Sequence, residues 1–241
     1  MAFYLIGTGM NKNSISADAL EILKSCNKIY LENYTVNFPY PTSELENEYK
    51  VKIEELTRNA VEDESILKEA KSSKVALLVY GDSLSATTHT QLILECKKQN
   101  IEYQIFHNAS IMTTIAETGL SLYKFGKTAS MPNWSEHTNK PTSFMNYIKE
   151  NSSIGAHTLI LTDIGLEIKN AIIQLIESSR QTGINLSEKI IAISFAGTPS
   201  QKIFYDTPEE IQNKNILMPF CLIIPNKLHF IESDALKEFE E

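Results

Sequence analysis

The sequence predicts an α/β protein in two lobes. Three observations support this: short β-branched apolar runs, helical patterns alternating with them, and a break in that rhythm near mid-chain. The runs lie at 2–6, 28–31, 75–80, 103–106, 158–161, 190–193 and 221–224. Continuous apolar runs of this length suit strands buried on both faces, as in parallel sheets. Helical spacing occupies 16–25, 62–71, 90–98, 143–151 and 167–179, so strand and helix alternate.

Each element has its own local warrant. In 90–98, Leu92, Ile93 and Cys96 share one stripe while Gln91, Glu95, Lys98 and Gln99 face water. Ser16 or Asp18 is positioned to cap the first helix, and Thr142 or Ser143 the one after Pro141. Gly126, Pro132, Trp134 and Pro141 interrupt the rhythm across 125–141, which puts the lobe boundary after Gly126, giving lobes 1–126 and 127–241. At 241 residues the chain accommodates two such lobes, a domain typically taking ~100–200 residues. Hydrophobic residues at 42% supply a core for each.

Composition narrows the function classes. A net charge of -8 argues against a broad phosphate-binding face and hence against direct nucleic-acid binding. Cys26, Cys96 and Cys221 are odd in number and widely spaced, unlike a disulfide framework or a zinc knuckle, and read as buried thiols in a reducing compartment. The N-terminal apolar stretch is too short for a signal peptide or a membrane span, so the expected location is the cytoplasm. His107, His137, His157 and His229 are scattered, without metal-ligand spacing, and no metal is expected. Neither a Gly-x-Ser-x-Gly elbow nor a phosphate loop ending in Gly-Lys-Ser/Thr is present.

Two segments have the chemistry of ligand loops. Ile6-Gly7-Thr8-Gly9-Met10 follows the first strand, where glycines permit close approach to the backbone. It lacks the third glycine of a dinucleotide fingerprint, although Glu32 follows the second strand where that fold places a ribose-binding acid. Tyr80-Gly81-Asp82-Ser83-Leu84-Ser85 ends a buried strand ahead of a helix, the sheet edge at which open parallel sheets bind ligands. Asp82 is suited there either to a polar ligand or to capping the helix. His89 reads as a hydrogen-bonded structural residue.

Taken together, the run 6–10, Leu31-Glu32-Asn33-Tyr34-Thr35, and Gly81-Asp82 followed by Ala86-Thr87-Thr88-His89 resemble the diphthine synthase family of tetrapyrrole-methylase-type methyltransferases. The likeness continues in order through His107-Asn108-Ala109-Ser110-Ile111, Gly119-Leu120, Tyr123-Lys124-Phe125-Gly126, His157-Thr158-Leu159, Asp163-Ile164, and Pro225 with Leu228-His229-Phe230. It implies a two-lobed tetrapyrrole-methylase-like fold, with a mostly parallel sheet in the N-terminal lobe, a mixed sheet in the C-terminal lobe and a cofactor cleft between them. It also implies S-adenosyl-L-methionine as cofactor and a homodimer.

The substrate implied is translation elongation factor 2, on a histidine already carrying an aminocarboxypropyl group whose amine is methylated repeatedly in diphthamide biosynthesis. Eukaryotic members also esterify the carboxylate. Cofactor contacts carried over by resemblance are Met10, Asp82, Ser85, Ser110, Ile111, Thr162, Ala196 and Phe220. The sequence names no proton acceptor; release to water through the cleft would serve. Departures from the family pattern are Ser83 for proline, Thr162 for leucine, Gly165 for lysine, Phe220 for histidine, and Ser194-Phe195-Ala196-Gly197-Thr198 for Ala-Arg-Ala-Gly-Ser. They leave two other readings: a small-molecule methylase on the same fold, or a noncatalytic elongation-factor-binding homologue.

Overall fold

Strand β1 (Ala2–Gly7) shows why the apolar runs are continuous. Phe3 and Leu5 enter one core cluster while Ala2, Tyr4 and Ile6 enter another on the opposite face, so no position of the strand faces water. The computed structural model describes residues 1–36, 38–62 and 65–240. Contacts divide the chain into Met1–Thr113 and Thr114–Glu241.

In the first unit β1 is joined by β2 (Lys28–Glu32), β3 (Glu54–Leu56), β4 (Lys74–Val79) and β5 (Tyr103–Phe106). Their order is β3-β2-β4-β1-β5 and every pairing is parallel. Helices α1 (Ala17–Lys24) and α2 (Thr42–Tyr49) cover one face through Ala19, Leu23, Leu45 and Tyr49. The other face is covered by α3 (Arg58–Glu62), α4 (Ser65–Ala70) and α5 (Thr90–Lys98), with Val61, Ile66, Leu67, Leu92, Ile93 and Cys96 inward. The stripe expected of Leu92, Ile93 and Cys96 is therefore the buried one. Ser16 caps α1, accepting the Ala19 N–H at 3.2 Å. The helix expected over 62–71 is resolved as α3 and α4, while Asp63 and Glu64 within it lie outside the described residues. A short α6 (Ile111–Thr114) follows β5.

The second unit holds β6 (Ala129–Met131), β7 (Thr158–Thr162), β8 (Ile190–Ser194), β9 (Lys202–Asp206) and β10 (Phe220–Ile224) in the order β6-β7-β10-β8-β9. Only β6 and β7 run parallel, so this sheet is mixed, as the resemblance implies. Its helices are α7 (Phe144–Ser153), α8 (Ile168–Thr182), α9 (Pro208–Asn213) and α10 (Phe230–Lys237). Ser143 is the residue preceding α7, but its side chain makes no cap hydrogen bond.

The division falls at Thr113, ahead of the boundary expected after Gly126. The reason is local packing. The Ser121 N–H donates to Glu232 at 3.0 Å, Lys124 pairs with the same carboxylate, and Gly119 sits against Ala235, so 114–126 is tied to α10 of the second unit.

Candidate active site

Three loops leave the C-terminal edge of the first sheet from β1, β4 and β5, and they are bonded to one another. Gly9 and Gly81 exchange backbone hydrogen bonds in both directions at 3.0 Å, and the Thr8 N–H donates to Val79 O at 2.8 Å. The Asn108 side chain donates to Gly7 O at 3.1 Å and Ser14 O at 2.8 Å. Glycine is obligatory where this interlock is tightest. A Cβ on Gly7 would lie 2.7 Å from Gly81 O, and one on Gly9, at φ +77°, would lie 2.6 Å from the Ser14 Cβ.

Asp82 joins the loops after β4 and β5. Its Oδ1 accepts the Leu84 N–H at 3.0 Å and the Ser85 hydroxyl at 3.1 Å, and its Oδ2 accepts the Asn108 N–H at 3.0 Å and His107 Nδ1 at 2.8 Å. Four donors fill the acceptor sites of one carboxylate. Burial raises its pKa, but the amides of Leu84 and Asn108, the His107 ring and the Ser85 hydroxyl outweigh this and hold it below the usual carboxylate value. Asp82 therefore forms a local turn with Leu84 and ties two loops, and the residue preceding α5 is His89.

His89 itself is buried, with Nδ1 3.2 Å from Ser83 O; burial lowers its pKa and the Ser83 carbonyl partly offsets the shift. Glu32 is also fully buried and accepts the Thr35 hydroxyl at 2.5 Å. Burial raises its pKa against the opposing bonds from Thr35 and Tyr34, a setting unlike that of a solvent-facing ribose ligand.

Four of the five N-terminal residues implied as cofactor contacts meet around this knot. A Cβ placed on Gly81 would touch the Ser110 Cα at 3.6 Å, Ala109 O and the Met10 sulfur at 3.7 Å each, while Ser85 bonds to Asp82. Ile111 follows directly, opening α6. Glycine at 81 thus leaves the backbone open beside a carbonyl oxygen, the Met10 sulfur and Ser110, a mixture of polar and apolar groups of the kinds that line small-molecule sites.

In the second unit Thr162, Ala196 and Phe220 gather at one edge of the mixed sheet. Thr162 ends β7 and donates its hydroxyl to Phe220 O at 3.2 Å, Phe220 opens β10 opposite Ser194, and Ala196 lies two residues beyond β8.

The remaining family-like strings form a separate buried network in the second unit. Glu232 accepts bonds from the N–H groups of His229 at 2.7 Å and Ser121 at 3.0 Å, from Lys124, and from His157 Nε2 at 3.4 Å. Burial pushes its pKa up, but the His229 amide, Lys124 and Ser121 bring it down to about 2. The Asn226 N–H donates to His157 Nδ1 at 2.9 Å, so the His157 proton sits on Nε2. These residues hold the architecture of the second unit.

Sequence reasoning missed His107 and Asn108 as partners of Asp82. They lie 25 and 26 positions away, and no local pattern signals a pairing made by strand adjacency.

Cys26, Cys96 and Cys221 form no disulfide. Among the described residues no group of three or more His, Cys, Asp or Glu could hold a metal ion, and no helix is long and apolar enough to cross a membrane.

Comparison with known proteins identifies the architecture. The family profile of tetrapyrrole (corrin/porphyrin) methylases matches residues 2–212. The chain is 34% identical to the diphthine methyl ester synthase of Schizosaccharomyces pombe, across 98% of this chain and 94% of the relative. It is 35% identical to the diphthine synthase of Methanocaldococcus jannaschii, across 97% and 96%. A crystal structure of diphthine synthase superposes with a TM-score of 0.89 at 32% identity, covering all of this chain and 96% of that one. The chain is a methyltransferase of the tetrapyrrole-methylase family and belongs, within it, to the diphthine synthases of diphthamide biosynthesis.

Proposed function

We propose that the protein transfers methyl groups from S-adenosyl-L-methionine to the amine of the aminocarboxypropyl-modified histidine of translation elongation factor 2, repeatedly, in the cytoplasm and as a homodimer. Likeness to diphthine synthases along almost the whole chain carries this reading, supported by the loop knot at the sheet edge where parallel α/β proteins bind ligands. When bound, the cofactor supplies an electrophilic methyl group, so the chain's task is to position an amine and remove its proton.

Met10, Ser85, Ser110 and Ile111 are proposed to contact the cofactor beside Gly81, and Thr162, Ala196 and Phe220 to complete the set. Asp82 belongs to the site by a different route: with four bonds already accepted, it holds the two loops in their binding shape.

Calorimetric titration with S-adenosyl-L-homocysteine tests the first half. One-site binding is expected, weakened about tenfold or more in Asp82→Ala, equivalent to ~1.4 kcal/mol or more. Methyl transfer to purified, aminocarboxypropylated elongation factor 2 tests the second half, and no incorporation would reject the substrate.

A further inference from the structure

The reaction proposed above needs an acceptor for the amine's proton, and the sequence offers none. The structure holds a histidine set up for that work. His107 follows β5 at the edge where the Gly81 and Ser110 loops meet, and its Nδ1 is 2.8 Å from Asp82 Oδ2. Asp82 is buried, with 10% of its side chain exposed, while 67% of the His107 side chain is open to solvent. An ionised carboxylate only accepts hydrogen bonds, so in the neutral ring the proton sits on Nδ1 and Nε2 carries the lone pair. No hydrogen bond among the described residues engages Nε2. A buried aspartate on one nitrogen and a free lone pair on the other is the arrangement in which a carboxylate orients an imidazole base and stabilises the imidazolium it becomes.

From this geometry, and resting on the methyltransferase reading, we propose that His107 is the base that deprotonates the substrate's alkylammonium group before each methylation. The N–H bond of the ammonium breaks, its electron pair stays on nitrogen as the nucleophilic lone pair, and the proton bonds to His107 Nε2. The resulting imidazolium, paired with Asp82, passes that proton to water from its exposed face and is neutral again for the next round. No other reactant is required. The pairing also gives Asp82 a second role as a positioning residue, which explains why a carboxylate at a ligand edge is spent on four contacts within the protein.

A structural role for His107 alone predicts something different, and His107→Asn separates the two. Asparagine keeps an N–H donor at the place of Nδ1, and so keeps the bond to Asp82, but has nothing at the place of Nε2. With modified elongation factor 2 as substrate, kcat in His107→Asn is expected to fall about 100-fold or more. The affinity for S-adenosyl-L-homocysteine should be unchanged, and added imidazole should restore part of the rate. Undiminished kcat would overturn the proposal.

A second readout needs neither cofactor nor turnover. Nitrogen NMR of the wild-type protein labelled in histidine is expected to find the neutral His107 ring protonated at Nδ1, and a proton on Nε2 would overturn the proposal even if the variant misfolded. Wild-type turnover keeps the two ideas apart: absence of methyl transfer by the unaltered protein overturns the functional reading and the base with it, whereas normal wild-type turnover with an active His107→Asn overturns the base alone.

Discussion

At Gly7 a missing methyl group decides the geometry of the site. The Cβ of Gly7→Ala would lie 2.7 Å from Gly81 O, 3.0 Å from Ser83 N and 3.1 Å from the Asp82 Cα, all backbone atoms of one neighbouring loop. That loop would have to move, so the variant should lose about 1–3 kcal/mol of stability in urea titrations. It should also bind S-adenosyl-L-homocysteine more weakly, since the displaced loop carries Asp82. Glu232 gives a prediction about acid. Its folded pKa, about 2, is depressed from 4.5, so its contribution is complete above the unfolded value and is lost as pH falls from about 4.5 to about 2. The shift corresponds to a contribution on the order of 3 kcal/mol. Burial depresses the pKa of His157 as well, against the opposing influence of Glu232, and a depressed histidine also loses its contribution as pH falls below its unfolded value near 6.5. Both groups therefore act in the same direction. Stability followed against pH should decline from about 6.5 downwards and more steeply below 4.5, and Glu232→Gln should flatten the lower part of the curve.

Among the elements, α2 ends on a strained residue. Lys50 closes it at φ 58° in the left-handed region, where glycine is the usual choice. Lys50→Gly removes that Cβ penalty and should raise stability by about 0.5–1 kcal/mol, read as a higher urea midpoint. This helix was also illegible beforehand: among its eight residues only Leu45 and Tyr49 are buried, too few to set an apolar period. The edge strands β3, β6 and β9 escaped for related reasons. The first two have three residues each, and β9 is mostly half-buried, so none shows a continuous apolar run. The long, doubly buried strands and α5 were legible because burial on both faces, or on one stripe, writes itself into composition.

For the whole molecule, binding of a ligand to the folded state alone raises stability by RT ln(1 + [L]/Kd), about 2.7 kcal/mol at a hundredfold excess over Kd. S-adenosyl-L-homocysteine at that excess should lift the melting temperature by roughly 5–10 °C for a chain of this size. Light scattering is expected to give twice the 27.2 kDa mass of one chain, in keeping with the proposed homodimer. The α/β class, the buried strands, the glycine loops and the position of Asp82 at a strand end could be read along the chain, because periodicity, apolar run length and glycine spacing are properties of neighbours in sequence, while the parallel order of the first sheet was implied by the family resemblance. The pairing of Asp82 with His107, the opposed hydrogen bonds of Gly9 and Gly81, and the attachment of 114–126 to α10 could not. Each joins residues far apart in the chain through strand order β4-β1-β5 or through packing on α10, and the free energy that selects those contacts exists only once the sheets have formed.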